Sequence, residues 1–116
     1  MSDCIFCRIV DGGIPCQKVF EDDDILAFKD LSPQRPVHIL VIPKKHITSL
    51  ATATADDTLV LGKMLVKANE IATAQGSPEG FRAIINTGRV GNQEVPHLHM
   101  HIVGGPDPVG PMLKRL

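Results

Sequence analysis

His97-Leu98-His99-Met100-His101-Ile102-Val103 alternates imidazole and apolar side chains without a break. Side chains on a strand alternate faces, so this stretch predicts a strand with three histidines on one face. Leu98, Met100 and Ile102 then form its other face, turned toward a core. Successive histidines on such a strand stand about 6.6 Å apart, twice the rise per residue. Gly104-Gly105-Pro106 ends it. Upstream, Phe81-Arg82-Ala83-Ile84-Ile85-Asn86 reads as a further strand, joined to the first by a glycine-rich loop over 87–91. Before it, Leu61, Met64, Leu65, Ala68, Ile71 and Ala72 fall on the rows of one helix face. Thr54 and Asp57 make a capping pair for that helix, and Gly76 stops it.

The N-terminal half supplies the remaining strands. Val37-His38-Ile39-Leu40-Val41-Ile42 is nearly continuous in apolar residues and predicts a buried central strand, stopped by Pro43. Lys18-Val19-Phe20-Glu21 and Ile25-Leu26-Ala27-Phe28 flank an acidic turn and predict a hairpin. Residues 31–36, with prolines at 33 and 36, form a loop. Hairpin connections and one long helix favour an α+β fold, an antiparallel sheet covered by helix.

Size and composition bound the function. At 116 residues the chain has room for one core, expected as a single domain over 1–105 with an irregular tail over 106–116. With four Phe and no Trp or Tyr, that core is built from aliphatic residues. A formal charge of −1 offers no basic face to a nucleic acid or an anionic membrane. The first residues lack a signal-peptide pattern, and no apolar run approaches a membrane span. Three cysteines, two of them as Cys4-Ile5-Phe6-Cys7, suggest a reducing cytoplasm rather than a disulfide framework. The CxxC pair then points to metal or redox work, and Cys16 to packing.

Three imidazoles on one strand face make a poor core and a poor solvated surface, so they indicate chemistry. One reading is a metal held by the triplet. The other is a nucleophilic imidazole that attacks phosphorus and is later released by water. The second needs one ring nitrogen left unprotonated, which a hydrogen bond at the other nitrogen enforces. It also needs donors around the phosphoryl oxygens, where charge is spread in the transition state.

The motif resembles the signature of the histidine-triad family. Phe28-Lys29-Asp30-Leu31-Ser32-Pro33, Pro36-Val37-His38-Ile39-Leu40-Val41-Ile42-Pro43-Lys44-Lys45-His46, Asn86-Thr87-Gly88 and Gln93-Glu94-Val95 resemble its other marked stretches. The chain is most similar to the branch of nucleoside phosphoramidate hydrolases. That resemblance implies a five-stranded antiparallel sheet with one long and one short helix, and a homodimer in which two sheets join. It implies His99 as nucleophile, His101 on the phosphate and His38 in the relay that orients the nucleophile. Asp30 would hold the ribose of a purine nucleotide. Phe6, Ile14, Phe28, Leu31 and Leu40 would form the base slot, and Asn86, Gly91 and Gln93 would line the phosphate side. Glu94 departs from the small hydroxyl residue of eukaryotic relatives, which bears on leaving-group choice, and the tail after Gly105 departs as well. No catalytic cofactor is implied. A structural zinc is, on Cys4, Cys7, His46 and His97. The alternatives are a dinucleoside polyphosphate hydrolase, a nucleotide-binding regulatory dimer with little catalysis, and a metalloenzyme with zinc on His97, His99 and His101.

Overall fold

The computed structural model describes residues 3–113. The last three residues of the expected tail, and the first two of the chain, lie outside them. In chain order the elements are α1 (Ile5–Val10), β1 (Lys18–Glu21), β2 (Ile25–Lys29), β3 (Val37–Pro43), a 3-10 turn (Ala55–Asp57), α2 (Thr58–Gln75), β4 (Arg82–Ile85) and β5 (Met100–Gly104). The strands form one sheet in the order β1-β2-β3-β5-β4. Every neighbouring pair is antiparallel.

Both faces of the sheet are covered, which explains why β3 reads as continuously apolar. Ile39 and Val41 join Met100, Ile102 and Leu98 beneath Met64, Ala68, Ile71 and Ala72 of α2. On the opposite face Leu40 and Ile42 pack with Leu26, Phe28 and two residues of α1, Phe6 and Ile9. Leu65 corrects the expected helix face: it is 57% exposed, while Met64 beside it is 1% exposed. One residue turns a helix by about 100°, and the sheet covers an arc no wider than that.

The strand of the three histidines is shorter than expected. β5 begins at Met100, where the ladder with β3 ends at Val41. The preceding residues stay extended through another contact, the Leu98 N–H donating to the Ile47 carbonyl at 2.7 Å. The alternation of faces therefore survives beyond the ladder. None of the described helices is long and apolar enough to cross a membrane.

The 3-10 turn that leads into α2 is held by a reciprocal cap. Thr54 accepts a backbone N–H with its hydroxyl, and the Asp57 carboxylate accepts the Thr54 N–H at 2.9 Å. Lys45 donates to the same carboxylate at 2.6 Å. The ammonium and the N–H together hold the Asp57 carboxyl below its ordinary range. A depressed carboxyl contributes stability above its unfolded pKa, about 3.9, and loses it as pH falls through the folded value. Asp57→Asn should therefore lower the urea midpoint at pH 7, and the gap to wild type should narrow as pH falls below the unfolded carboxyl value of about 3.9. Thr54→Ala should cost about 1 kcal/mol with an unchanged denaturant slope.

Candidate active site and metal centre

Two groups of side chains lie on the α1 face of the sheet, joined through Phe6. Its ring meets those of His97 and His99 edge-on, with centroids 5.8 and 5.2 Å away.

The first group lines a cavity of about 380 Å³, within the range of small-ligand sites. Its hydrogen bonds decide each histidine's tautomer. His99 Nδ1 lies 2.8 Å from the His97 carbonyl, which can only accept, so Nδ1 carries the proton. Its Nε2 is left with a lone pair. The Gln34 N–H donates to His38 Nδ1 at 3.0 Å, so the His38 proton is on Nε2. That Nε2 donates to His101 Nδ1 at 2.9 Å, with Asp30 Oδ2 at 3.4 Å as a further acceptor. His101 consequently carries its own proton on Nε2. Burial, followed by the neighbouring His99 and His38, pushes the His101 pKa below the ordinary imidazole value, against Asp30 and Glu94. The site thus pairs a lone pair on one imidazole with an N–H donor on the next, their ring centroids 5.1 Å apart. Such a pair has the chemistry to act as a nucleophile beside an electrophilic donor.

Of the residues expected here, Phe6, Asp30, His38, Leu40, Asn86, Glu94, His99 and His101 line the cavity. Phe28 stands behind Phe6, ring centroids 5.8 Å apart, and Ile14 packs on the same cluster, both off the wall. Leu31 is 90% exposed and off the wall as well. Gly91 and Gln93 shape the loop instead. A Cβ on Gly91 would meet the Thr87 carbonyl oxygen at 2.5 Å, and the Gly91 carbonyl accepts from Asn86 Nδ2. The Gln93 amide accepts from the Gly88 N–H and donates to the Thr48 and Val95 carbonyls, so it braces the loop that carries Glu94. Ser32, Gln34, Asn92 and Val95 also line the cavity, and the sequence reading assigns none of them a site role. Gln34 enters through its backbone, and Asn92 sits at φ 57°, a left-handed conformation asparagine tolerates. A larger cavity, about 660 Å³, lies between the tail and the ends of β4 and β5 and has no imidazole on its wall.

The second group is Cys4, Cys7, His46 and His97, whose donor atoms all lie within 4.8 Å of one another. Cys4 Sγ is 3.2 Å from His97 Nδ1, Cys7 Sγ 3.3 Å from His46 Nδ1, and the two Nδ1 atoms 3.2 Å apart. A zinc ion with sulfur at about 2.3 Å and nitrogen at about 2.05 Å has tetrahedral edges of about 3.5 Å between N and S and about 3.3 Å between N and N. The four residues match that figure closely. His97 Nε2 donates to the Pro43 carbonyl at 2.9 Å, which turns an unprotonated Nδ1 toward the sulfurs. Burial is the main cause holding His97 below the ordinary imidazole pKa, so it stays neutral, as a ligand must. This geometry corrects the alternative of a metal on His97, His99 and His101. His97 faces the cysteines, and among the described residues no cluster of metal-ligating donors includes His99.

The chain is similar to several known proteins. The family model described as "Scavenger mRNA decapping enzyme C-term binding" matches residues 3–114. Protein HitA of Neisseria gonorrhoeae is 51% identical over 106 residues, which span 91% of this chain and 99% of that protein. Among solved structures, a histidine triad protein from Clostridium difficile superposes with a TM-score of 0.88 at 47% identity, over 95% of this chain and 96% of the other. A HIT family hydrolase from Legionella pneumophila gives a TM-score of 0.86 at 45% identity, over 90% and 95%.

Proposed function

The chain belongs to the histidine-triad family, and on that premise we propose that it hydrolyses nucleoside 5'-phosphoramidates through a covalent nucleotidyl-His99 intermediate. The observation that carries this reading is the His99 Nδ1 hydrogen bond to the His97 carbonyl, which leaves Nε2 unprotonated in the cavity.

His99 Nε2 attacks phosphorus and the P–N bond of the substrate breaks. The bond's electron pair leaves with the amine, which takes its proton from water. The nucleotidylated imidazole is then a cation whose Nδ1–H remains on the His97 carbonyl, a favourable place for a positive N–H. His101 Nε2–H donates to a phosphoryl oxygen, where charge gathers. Water next cleaves the P–Nε2 bond, giving the nucleoside monophosphate and free His99. Asp30, whose Oδ1 already accepts the Ser32 N–H at 2.7 Å, turns its carboxylate to the ribose hydroxyls. Phe6 and Leu40 offer the apolar surface for a purine base, backed by Phe28. Glu94 brings a second carboxylate to a wall that has no lysine or arginine, which disfavours polyphosphate in this cavity.

Cys4, Cys7, His46 and His97 would hold a structural zinc, whose contribution is to tie α1 to the loop after β3 and to the histidine segment. A homodimer belongs to the same proposal. β4 is an edge strand with one side unpaired, and Leu59, Leu65 and Val66 of α2 are exposed. A cytoplasmic single-domain enzyme acting on a small nucleotide fits this set of features.

The test is hydrolysis of adenosine 5'-phosphoramidate, followed by chromatography of the adenosine monophosphate released, beside a dinucleoside polyphosphate at equal concentration. Faster turnover of the phosphoramidate is expected. Faster turnover of the polyphosphate would move the protein to that substrate class. Tight binding of adenosine monophosphate with turnover of neither would identify a regulatory binder.

A further inference from the structure

A second cavity, about 480 Å³, adjoins the nucleophile's cavity, with Gln34, His38, Asn86 and His101 as their common wall. Its floor is apolar, from Ile84 on β4 and Val103 on β5. Ile84 pairs with His101 and Arg82 with Val103, so Arg82 leaves the sheet about 7 Å along the strand beyond His101. Arg35 stands at the same end, and the tail closes the top with Val109, Pro111 and Met112. Arg35 Nη2 donates to the Val109 carbonyl at 3.2 Å, and Arg82 donates to the Gly110 carbonyl.

The charge on this wall has no counterpart. Among the described residues Lys18, Lys44, Lys45, Lys63 and Lys67 each pair with a carboxylate, while Arg8, Lys29 and Arg89, away from this wall, do not. Among the described residues neither Arg35 nor Arg82 does; the protein acceptors of both are backbone carbonyls. A guanidinium has five N–H donors in a planar fork suited to carboxylate or phosphate, and one or two neutral carbonyls leave donors over. Charge is thus divided between the two cavities: carboxylates line the first, and guanidiniums the far end of the second.

We propose that the second cavity is the leaving-group subsite and that it selects leaving groups with a short apolar body ending in an anion. The inference rests on the hydrolase reading. With phosphorus at His99 Nε2, an in-line leaving group points away from His99. The route past His101 opens into this cavity. Its apolar part lies on Ile84 and Val103, and its terminal carboxylate or phosphate meets Arg82 and Arg35.

The test compares adenosine 5'-phosphoramidates whose leaving amine is an ω-aminoalkanoate, its terminal amide, or an ω-aminoalkyl phosphate of the same chain length. Ammonia as the leaving group supplies a baseline. In the wild type kcat/KM should be at least about tenfold higher for an anionic leaving group than for the terminal amide, as a charge-assisted contact suggests. The better of the two anions identifies which is recognised. In Arg82→Gln the anion-to-amide ratio should fall toward one, in Arg35→Gln it should fall partway, and Arg82→Lys should retain part of it. Each ratio is taken within one variant, so a general loss of folded protein cancels. A wild-type ratio near one, or a preference that survives both glutamine variants, overturns the subsite. Turnover of the ammonia compound with no anion preference overturns the subsite alone; no turnover of any of these compounds overturns the hydrolase reading with it.

Discussion

Replacing His99 by alanine should reduce turnover of a nucleoside phosphoramidate by about a thousandfold or more, as loss of a covalent nucleophile does elsewhere. The size follows from the local chemistry. His99 alone places an unprotonated nitrogen beside the His101 donor, since the His38 and His101 Nδ1 lone pairs are both taken by relay hydrogen bonds. Water would have to attack directly in the variant, without a second group to take over. His101→Ala should cost less, about a hundred- to a thousandfold, because it removes a donor and leaves the nucleophile. His99 is 6% exposed and in contact with Phe6, so both variants need a circular dichroism spectrum beside the rates. A His99→Ala enzyme retaining a tenth of wild-type kcat would sink the covalent route.

The second large effect concerns stability. Native mass spectrometry should find two chains and two zinc ions, and stripping the metal should destabilise the fold without touching the nucleophile. Binding to the folded state alone contributes about 4 kcal/mol when free metal exceeds its Kd a thousandfold. For a domain of this size that is a drop of roughly 20 °C in Tm. Cys4→Ser should reproduce it, since Cys4 both belongs to the proposed ligand set and accepts the Cys7 N–H as the cap of α1. Below the lowered Tm the stripped protein should still turn over substrate, because the His99 bond to the His97 carbonyl is a backbone contact. Activity that vanishes with the metal while the protein remains folded would return zinc to the chemistry. A metal-free protein as isolated, with unchanged Tm in chelator, would dismiss the structural zinc.

The parts of the molecule legible in the sequence are those where one physical period dominates. Alternation over residues 97–103 survives as two opposed faces even though the ladder covers only Met100–Gly104. The reciprocal Thr54–Asp57 cap and Gly76, at φ 112°, bound the long helical segment as read, because each depends on neighbours a few residues away. α1 was visible only through the resemblance. It is six residues long, capped by a thiol, and held by Phe6 and Ile9 packing on strands far along the chain. No local pattern encodes that. Loop-borne residues are the least legible. Gln93 carries a polar amide of the kind that lines phosphate sites, yet its donors and acceptor close on Gly88, Thr48 and Val95. Gln34 matters through a backbone N–H that its side chain does not announce. Composition likewise concealed Arg35 and Arg82, because near-neutral net charge says nothing of how charge is divided between two adjoining cavities.

The most direct measurement is a mass spectrum of the wild-type enzyme denatured in alkali during turnover of adenosine 5'-phosphoramidate, with peptide mapping of any adduct. One adenylyl group on His99, formed and lost at rates that match steady-state hydrolysis, is the predicted result. Sustained hydrolysis with no adduct, or with the adduct on another residue, would contradict the account.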